Sequence, residues 1–508
     1  MADAPLLLGV DIGTYSAKAV LAAPDGAIVA EVEEEHGLDV PRPGWAEHDP
    51  ETVWWGQFVR LTRALLARSG RRGADVGAVA VSAIGPCLVP VGADGHALRA
   101  GILYGIDTRA TAEIAELNER HGPDAMASLG GSLLTSQAVG PKLLWLRRHE
   151  PETFAAASSF HSASDYVVLC LTGEHVMDAY TASLYDPLFD IDACAWSERF
   201  ADGIVELERL PPVRHATEIA GHVTEPAARE TGLAAGTPVT VGTVDAVAEA
   251  VGVGAIRPGD LMCMYGTTAF FILASDRVVR HPAMWGVRHA FPGLYGIAAG
   301  MATTGALTRW FRDEFARELE RDAAYAALAR EAEQVPPGSL GLVVLPYFSG
   351  ERTPIDDPDA RGLVCGLTLA HSRAHLYRAV LEGTAYGIAH NLEVMREAGG
   401  EAARIVAVGG GAKNPTWLQI VSDVSGVVQE LPVQTTGAPY GDAFLAALAI
   451  GAVSTLDDLH DRWVRIARTI EPDATLHELY REYFDVYRRL YEHTAADQHR
   501  LAELGRGA

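Results

Sequence analysis

Apolar and polar residues follow a pattern that occurs once near the start of each half of the chain. Residues 6–22 run from the apolar LLLGV through the polar turn DIGTYS into AKAVLA, and residues 27–35 then alternate between apolar and acidic side chains. This order predicts a strand, a tight polar loop, a second strand and a third. At 261–275 the same order returns as LMCMY, the loop GTT and AFFILAS. We therefore predict an internal duplication.

Between these units, strand-like runs alternate with helical patterns, which predicts an α/β fold in both halves. The last fifty residues have Leu, Tyr and Arg at helical spacing and predict a closing helix. Gly and Pro concentrate at 252–260, so we place a domain boundary there and expect domains at 1–252 and 253–508. The segments that carry this pattern are 53–69, 111–120, 376–399 and 414–426 as helices, and 76–84 and 404–410 as strands.

Composition narrows the class of protein. The 508 residues are 48% hydrophobic, which suits a globular chain, and 41 Lys and Arg stand against 66 Asp and Glu, giving a net charge of −25. This charge argues against nucleic acid or an anionic membrane as a partner. Neither a signal peptide nor an apolar run long enough to span a membrane is evident, so we expect a cytoplasmic protein. The scattered cysteines argue against a disulfide framework: Cys87, Cys170, Cys194, Cys263 and Cys365.

The turn DIGTYSAK at 11–18 contains groups that suit a phosphate. Backbone N–H groups around Gly13, the hydroxyls of Thr14 and Ser16, and the Lys18 ammonium are all donors. Asp11 is a candidate ligand of a hydrated Mg²⁺, because that ion binds one or two carboxylates together with substrate phosphates. A plain β-hairpin is the alternative reading of this short turn.

Two further Gly-rich segments favour nucleotide binding. YGTTAFF at 265–271 repeats the first turn, and VGGGAKNP at 408–415 follows a predicted strand, so its backbone can approach a base or ribose closely. Neither a Rossmann fingerprint nor a P-loop occurs in the sequence. The chain has three lysines, and two of them, Lys18 and Lys413, lie in these loops. We expect the third, Lys142, to be a surface residue of a helix.

Asp245 ends the apolar run GTVD and begins a helix rich in small residues. A carboxylate at this position, close to the boundary between the halves, can accept a proton from an attacking hydroxyl. A helix N-cap is the alternative, since Asp is a preferred residue there. The presence of the two Gly-Thr loops favours the interpretation of Asp245 as a general base.

Trp54 and Trp55 are either core residues or neighbours of the pocket.

Taken together, five segments resemble the FGGY carbohydrate kinases of the actin-like ATPase superfamily. The resemblance covers roughly residues 6–455 in the order and spacing of that family, and it is specific as a set. The segments are DIGTYSAK, the VDA segment around Asp245, YGTTAFF, PYFSGERTPIDDPDARG and VGGGAKNPTWLQIVSD.

The resemblance implies two ribonuclease H-like domains, each built on a mixed five-stranded sheet flanked by helices, with ATP and sugar in the cleft between them. It implies Asp245 as catalytic base and substrate contact, and Asp11 beside Mg²⁺. Members of the family are often dimers, so a homodimer is compatible with it. The residues implied for ATP are Gly13, Thr14, Ser16 and Lys18 on the phosphates, Gly266, Thr267 and Thr268 in a second phosphate loop, and Gly305, Gly410, Gly411 and Asn414 on the adenosine side.

The sugar site is less defined. ILYGIDTRA at 102–110 aligns with a substrate-side segment of the family, which makes Asp107 and Arg109 candidates for hydroxyl contacts; a helix N-cap and a surface arginine are the alternatives. Xylulose kinases of the family carry Gln-Met-His-Gly where this chain has Ile-Gly-Pro-Cys at 84–87. D-xylulose is therefore not carried over from the family as the specific substrate. The resemblance implies ATP- and Mg²⁺-dependent phosphorylation of a ketose such as a pentulose of the xylulose or ribulose type. A kinase for another polyol or a tetrulose, and an actin-like ATPase switch without a sugar, remain alternatives.

Overall fold

The computed structural model describes residues 5–506, and all of their side chains except those at positions 123, 321 and 322. The first half of the chain contains many short strands around a few long ones. Its strands are β1 (Leu6–Ile12), β2 (Ser16–Ala22), β3 (Ile28–Glu35), β4 (Glu47–His48), β5 (Val76–Ala83), β6 (Val89–Val91), β7 (Gly101–Ile102), β8 (Ser159–His161), β9 (Met177–Asp178), β10 (Phe189–Asp190), β11 (Ala195–Trp196), β12 (Val213–Arg214), β13 (Ile219–His222), β14 (Pro238–Thr240) and β15 (Thr243–Val244). Its helices are α1 (Gly56–Ser69), α2 (Thr111–His121), α3 (Pro123–Gly130), α4 (Val139–His149), α5 (Pro151–Ala156), α6 (Ala163–Thr172), α7 (Ala179–Ser183), α8 (Glu225–Thr231) and α9 (Asp245–Gly252).

The second half has fewer strands and longer helices. Its strands are β16 (Asp260–Tyr265), β17 (Ala269–Ser275), β18 (Trp285–Arg288), β19 (Tyr295–Met301), β20 (Val343–Leu345), β21 (Leu363–Cys365), β22 (Arg404–Val408), β23 (Gln429–Pro432) and β24 (Ile466–Ile470). Its helices are α10 (Gly305–Phe315), α11 (Arg321–Glu333), α12 (Arg373–Glu397), α13 (Pro415–Ser425), α14 (Ala438–Ala449) and α15 (Ala474–Arg506). The helices and strands predicted from periodicity are confirmed, including α15 as the closing helix.

The two main sheets share one topology, which confirms the predicted duplication. In the first sheet, β1 pairs antiparallel with β2 and parallel with β5; in the second, β16 pairs antiparallel with β17 and parallel with β22. The strand orders β3-β2-β1-β5-β14 and β19-β17-β16-β22-β23 correspond strand by strand. Each Gly-Thr loop joins the two central antiparallel strands of its sheet.

Each sheet has seven strands rather than the five that the family resemblance implies. The five corresponding strands are extended by β13 and β15 in the first half, and by β18 and β24 in the second. These additions are two to five residues long, too short to show a periodic pattern in the sequence. The mixed α/β fold class itself is confirmed.

The two halves are joined by a shared core as well as by the chain. Buried apolar residues of both sheets, including Leu7, Val20, Met262 and Ile272, form one cluster with residues of α9 and α14. Helix α14 comes late in the sequence, yet it packs against α9, β1 and β5 of the first half. The loop 253–259, where we predicted a domain boundary, connects α9 to β16.

The crossing of α9 and α14 leaves no room for a side chain. A Cβ on Gly441 would lie 1.8 Å from the carbonyl oxygen of Ala248, so the two backbones must separate to accept one. We expect Gly441→Ala to lower the free energy of unfolding by at least about 2 kcal/mol, because overpacking displaces the backbone. Calorimetry measures this as a lower Tm. Gly37→Ala is the control, since a Cβ there meets no atom within 4 Å; an equal Tm for both variants would contradict the prediction.

In the described part of the chain, no helix combines the length and apolarity needed to cross a membrane. The five cysteines are free; Cys87 and Cys263 are buried, whereas Cys365 is exposed. Trp54 is fully buried, and the Trp55 ring stacks on Phe58 with its Nε1 donating to Glu230. Both tryptophans are therefore part of the packing around α1.

Candidate active site

A cavity of about 520 Å³ lies between the two halves of the chain, and residues of both halves line it. Thr14 enters it from the loop 13–15, which we call the first loop, and Thr268 enters from the loop 266–268, the second loop. Asp245, the first residue of α9, and Gly409 also line it. The two repeated turns, the carboxylate at the boundary and the Gly-rich segment thus meet in one cavity.

The first loop is a tight turn that depends on a glycine. The Gly13 N–H donates to the Ser16 carbonyl oxygen at 2.9 Å, and a Cβ on Gly13 would lie 2.8 Å from that oxygen. The Thr14 hydroxyl lies 3.2 Å from the phenol oxygen of Tyr104. On β2, Ser16 and Lys18 both contact Glu33, with Lys18 Nζ 3.6 Å from Oε1, and Lys18 also lines the cavity.

Two histidines hold the carbonyl groups of the first loop, and the sequence pattern did not indicate them. His36 Nε2 lies 3.1 Å from the Gly13 oxygen, and His48 Nε2 lies 3.2 Å from the Thr14 oxygen. The indole N–H of Trp54 donates to His48 Nδ1 at 3.3 Å. Because an indole only donates, His48 Nδ1 is the acceptor and Nε2 carries the proton that binds Thr14. Burial lowers the pKa of His48 to about 4, which keeps the ring neutral.

The second loop packs against the start of α10. The Gly266 N–H donates to the Thr268 oxygen, and Gly305, at the start of α10, donates its own N–H to the Gly266 oxygen at 3.0 Å. A Cβ on Gly305 would lie 2.3 Å from that oxygen, so glycine is required for this contact. Arg309 of α10 donates to the Thr267 hydroxyl at 3.3 Å. Gly305 therefore supports the second loop directly.

The segment after β22 turns sharply beside the cavity. Gly409 has a φ of 87°, a conformation that favours glycine. Gly410 faces open space, whereas a Cβ on Gly411 would lie within 3 Å of Trp417 and Tyr265. Asn414 caps α13 by accepting from the Trp417 N–H at 3.1 Å. Gly410, Gly411 and Asn414 thus continue from the cavity wall at Gly409 without lining the cavity themselves.

Carboxylates gather on the first-half side of the cavity. Asp11 at the end of β1, and Asp245 and Glu249 on α9, all line it. Burial raises the pKa of Asp245 and that of Glu249 to about 7 each. Burial first, and then the neighbouring carboxylates, raise the pKa of Asp11 well above its usual value. Asp245 accepts a hydrogen bond from the N–H of Ala246, the next residue of its own helix.

Asp107 and Arg109 lie behind the cavity wall. The Arg109 guanidinium binds the Asp107 carboxylate at 2.7–3.0 Å and reaches Glu47 at 2.8 Å, and both side chains of the pair are fully buried. Neither residue lines the cavity; Tyr104 and Ile106 of the same segment do. Nor is Asp107 a helix cap, since α2 begins after Ala110.

Lys142 is buried rather than exposed, which corrects the prediction of a surface residue. It lies on α4 as predicted, but its Nζ donates to the carbonyl oxygens of Leu103 and Tyr104 at 2.7 and 2.9 Å. Burial lowers the pKa of Lys142 to about 8. The side chain turns inward because the segment 103–104 offers two carbonyl acceptors, a contact between distant residues that helical spacing does not reveal.

Comparison with known proteins identifies the family. The model of the N-terminal domain of the FGGY family of carbohydrate kinases matches residues 6–252, and that of the C-terminal domain matches residues 261–450. The chain belongs to the FGGY family of carbohydrate kinases. This confirms the resemblance seen in the sequence, and the protein is an enzyme that phosphorylates a sugar.

Named relatives of this FGGY kinase match over nearly their full length. It is 29% identical over 495 residues to a xylulose kinase of Bacillus subtilis (strain 168), covering 96% of this chain and 97% of that protein. It is 30% identical over 477 residues to a glycerol kinase of Nocardia farcinica (strain IFM 10152), covering 89% and 92%. The crystal structure of a xylulose kinase from Rhodospirillum rubrum superposes with a TM-score of 0.92 at 33% identity, covering 97% of this chain and 100% of that one.

FGGY kinases use ATP as the phosphate donor. The carboxylates at the cavity of this kinase would suit a divalent cation such as Mg²⁺. Within residues 5–506, no group of three or more His, Cys, Asp or Glu side chains is arranged to hold a metal ion alone. Mg²⁺ needs no such group, because it keeps several waters and binds one or two carboxylates plus phosphates. Asp11 is a hard oxygen donor in an acidic, buried setting that a divalent cation would neutralise.

The contact between His48 and the first loop leads to a prediction for this kinase. His48→Leu removes the donor that holds the Thr14 carbonyl, so we expect kcat to fall by about 10- to 100-fold through misplacement of the loop. His48→Gln is the matched control, because its amide oxygen can accept from Trp54 while its NH₂ donates to Thr14. Steady-state kinetics with MgATP and a ketopentose measure both. Equal losses in the two variants would contradict this role for His48.

Proposed function

We propose that this kinase transfers the γ-phosphoryl group of ATP to a hydroxyl of a ketopentose of the xylulose or ribulose type. One observation carries the proposal: the first loop, the second loop and Asp245 face one cavity between the two halves. Phosphoryl transfer needs positioning and charge neutralisation more than covalent help from the protein. A cavity that both halves line can place the donor and the acceptor in line.

In this proposal each half of the chain binds a different part of the substrates. Residues 1–252 form the domain that binds the sugar and carries the first loop and Asp245, and residues 253–508 form the domain with the second loop, the adenosine site and α15. The phosphates of ATP contact Gly13, Thr14, Ser16, Lys18, Gly266, Thr267 and Thr268, and the adenosine lies beside Gly305, Gly410, Gly411 and Asn414.

Asp245 is the proposed general base. Its carboxylate accepts the proton of the attacking hydroxyl, which makes that oxygen the nucleophile. Burial supports this role, because a carboxylate with a pKa of about 7 is a stronger base than a solvated one and is still about half ionised at neutral pH. Asp11 would hold Mg²⁺, which supplies neutralisation of the phosphate charge when it is bound.

The sugar lies against the wall formed by Tyr104, Ile106 and Gln137. Gln137 Oε1 accepts from the Gly105 N–H at 2.8 Å, and Lys142 holds the carbonyl groups of residues 103 and 104. We assign Asp107 and Arg109 to the sugar side as residues that fix this segment in place through their buried ion pair.

The choice of sugar rests on the relatives and on one difference from them. The xylulose kinases among the relatives support a ketopentose. Ile84 and Gly85 line the cavity in the segment where family xylulose kinases carry polar Met-His, so this part of the wall is less polar. This difference favours a tetrulose or another polyol as second candidate, and the glycerol kinase relative supports including polyols.

A panel of acceptors tests the proposal. Purified protein with MgATP is given ketopentoses, ketohexoses, tetruloses and polyols, and ADP release is compared with a blank without sugar. We expect one ketopentose to raise ADP release far above the blank. A tetrulose or polyol as best substrate would move the proposal to the second candidate. ADP release that no acceptor stimulates would contradict the proposed function and favour an actin-like ATPase switch.

The charge of the chain bears on the partners of the enzyme. The net charge of −25 supports a small-molecule partner over nucleic acid or an anionic membrane surface. We propose that the kinase acts in the cytoplasm on a small sugar, as a homodimer. Sedimentation of the purified chain measures the oligomeric state.

A further inference from the structure

Arg352 lines the cavity from the second half of the chain, whereas the carboxylates that line it belong to the first half. It lies in the segment between β20 and β21, within SGERTP. One terminal nitrogen, Nη2, donates to the Met301 carbonyl oxygen at 3.0 Å, and the Arg352 backbone N–H donates to Glu351 Oε1 at 2.8 Å. The side chain is therefore anchored on the end of β19 and held in one direction.

The guanidinium is not fully paired in this setting. Its Nε is buried and has no hydrogen-bond partner, and the carboxylate whose charge acts on it is that of the preceding residue, Glu351. Burial lowers the pKa of Arg352 from its usual value, as expected for a cation removed from water. A buried N–H donor without an acceptor is costly, and a buried charge is normally paired. An anion inside the cavity would neutralise the charge of the guanidinium.

Arg352 lies beside the second loop. Nη2 approaches the carbonyl oxygen of Ala269, the residue that follows the second loop, at 3.5 Å. The charge of Arg352 also acts on the Tyr104 phenol, whose oxygen lies 3.2 Å from the Thr14 hydroxyl of the first loop. A group that bridges Thr14 and Thr268 across the cavity would therefore come within reach of Arg352.

The charges around the cavity also favour an anionic ligand near Arg352. The acidic residues that line it are Asp11, Asp245 and Glu249, and the basic ones are Lys18 and Arg352. Lys18 is half exposed and lies near Glu33, so part of its charge is already neutralised. Arg352 is thus the buried cation of the cavity, and a guanidinium matches the oxygens of a phosphoryl group with two parallel donors.

We propose that Arg352 binds the non-bridging oxygens of the γ-phosphoryl group while it is transferred. This proposal rests on the proposed function. In the step, the sugar oxygen forms a bond to the γ-phosphorus, the bond from that phosphorus to the β,γ-bridging oxygen breaks, and ADP leaves with the electron pair. The proton of the sugar hydroxyl goes to Asp245. Arg352 stabilises the charge on the transferring group, as arginines do in other phosphoryl transfers.

Three variants test this role with MgATP and the acceptor of the panel that best stimulates ADP release. We expect Arg352→Ala to lower kcat by about 1000-fold with smaller changes in the KM for ATP and for the sugar. Arg352→Lys keeps the charge but loses the planar pair of donors, so it should recover only part of the loss. Arg404→Ala is the matched control, because Arg404 is also an anchored arginine, paired with Asp260 outside the cavity; it should lower Tm without a comparable loss of kcat.

Chemical rescue separates catalysis from folding. Millimolar guanidinium should restore part of the activity of Arg352→Ala and leave that of Arg404→Ala unchanged. Trapping of ADP with aluminium fluoride, which mimics the transferring group and needs no turnover, should be lost in Arg352→Ala while ADP alone still binds. Normal trapping, a kcat within threefold of the wild type, or a loss confined to the KM for the sugar would overturn the proposal. Wild-type protein that traps ADP and aluminium fluoride but phosphorylates no acceptor would instead contradict the proposed function.

Discussion

Asp245→Asn is expected to lower kcat for sugar phosphorylation by about 1000-fold while the protein still binds ATP. The amide is close in size to the carboxylate but cannot take the proton of the attacking hydroxyl. The side chain lines the cavity together with Asp11, and it accepts a hydrogen bond from the N–H of Ala246, which an amide oxygen can also accept. Binding of ATP by calorimetry and turnover by coupled ADP release separate the two effects.

The pH profile provides an independent check on the same residue. Burial raises the pKa of Asp245 to about 7, and a general base works only when it is ionised. We therefore expect kcat/KM to rise with pH up to about 7 and to level off above it, so activity is lost as the solution is acidified. The residual activity of Asp245→Asn should not show this rise of kcat/KM with pH.

A control carboxylate distinguishes catalysis from general damage to the protein. Asp260 is also buried, but it pairs with Arg404 away from the cavity. Asp260→Asn should reduce stability and keep most of the turnover. Near-normal sugar phosphorylation by Asp245→Asn, or an equal loss in both variants, would show that Asp245 is not the base.

Asp11→Asn is expected to lower kcat by about 100-fold and to raise the Mg²⁺ concentration needed for half-maximal activity. A neutral amide is a weaker ligand for this hard cation than a carboxylate. The same change removes a charge from a buried acidic group whose pKa is raised, so the Tm of the metal-free protein should not fall. Titration of activity with Mg²⁺, together with calorimetry, measures both effects.

Asp442 offers a matched control for this variant. Its carboxylate is buried near Asp11 and accepts from Ser82 at 2.7 Å, but it does not line the cavity. Asp442→Asn removes the same charge from the same neighbourhood and should leave the Mg²⁺ requirement close to that of the wild type. An unchanged Mg²⁺ requirement in Asp11→Asn would exclude Asp11 as a metal ligand.

Much of the fold could be predicted because its signals are local. The hairpins around the first and second loops appear as apolar runs interrupted by Gly-Thr, and Asn414 before Pro415 marks the start of α13. Edge strands such as β15, with two residues, are formed by pairing to β5, and nothing in their own sequence requires a strand. For that reason, the resemblance implied five strands in each main sheet, whereas the structure has seven.

The candidate site was predictable where residues of one type recur in a recognisable turn, as at Thr14 and Thr268. Contacts between distant segments were not predictable. His48 holds Thr14 across 34 positions, and Arg352 reaches the cavity from the other half of the chain. The burial of Lys142 likewise depends on carbonyl groups 38 and 39 residues away. Helical spacing gives the face of a helix and does not tell what packs against it.

The central claim is that the cavity between the halves joins ATP to a sugar. The most direct measurement follows the γ-phosphate of ATP by phosphorus NMR in a reaction with Mg²⁺ and the best ketopentose of the panel, alongside a reaction without sugar. The account predicts one sugar phosphate for each ADP formed, and little inorganic phosphate in either reaction. Inorganic phosphate formed at the same rate with and without the sugar, and no sugar phosphate with any acceptor of the panel, would contradict it.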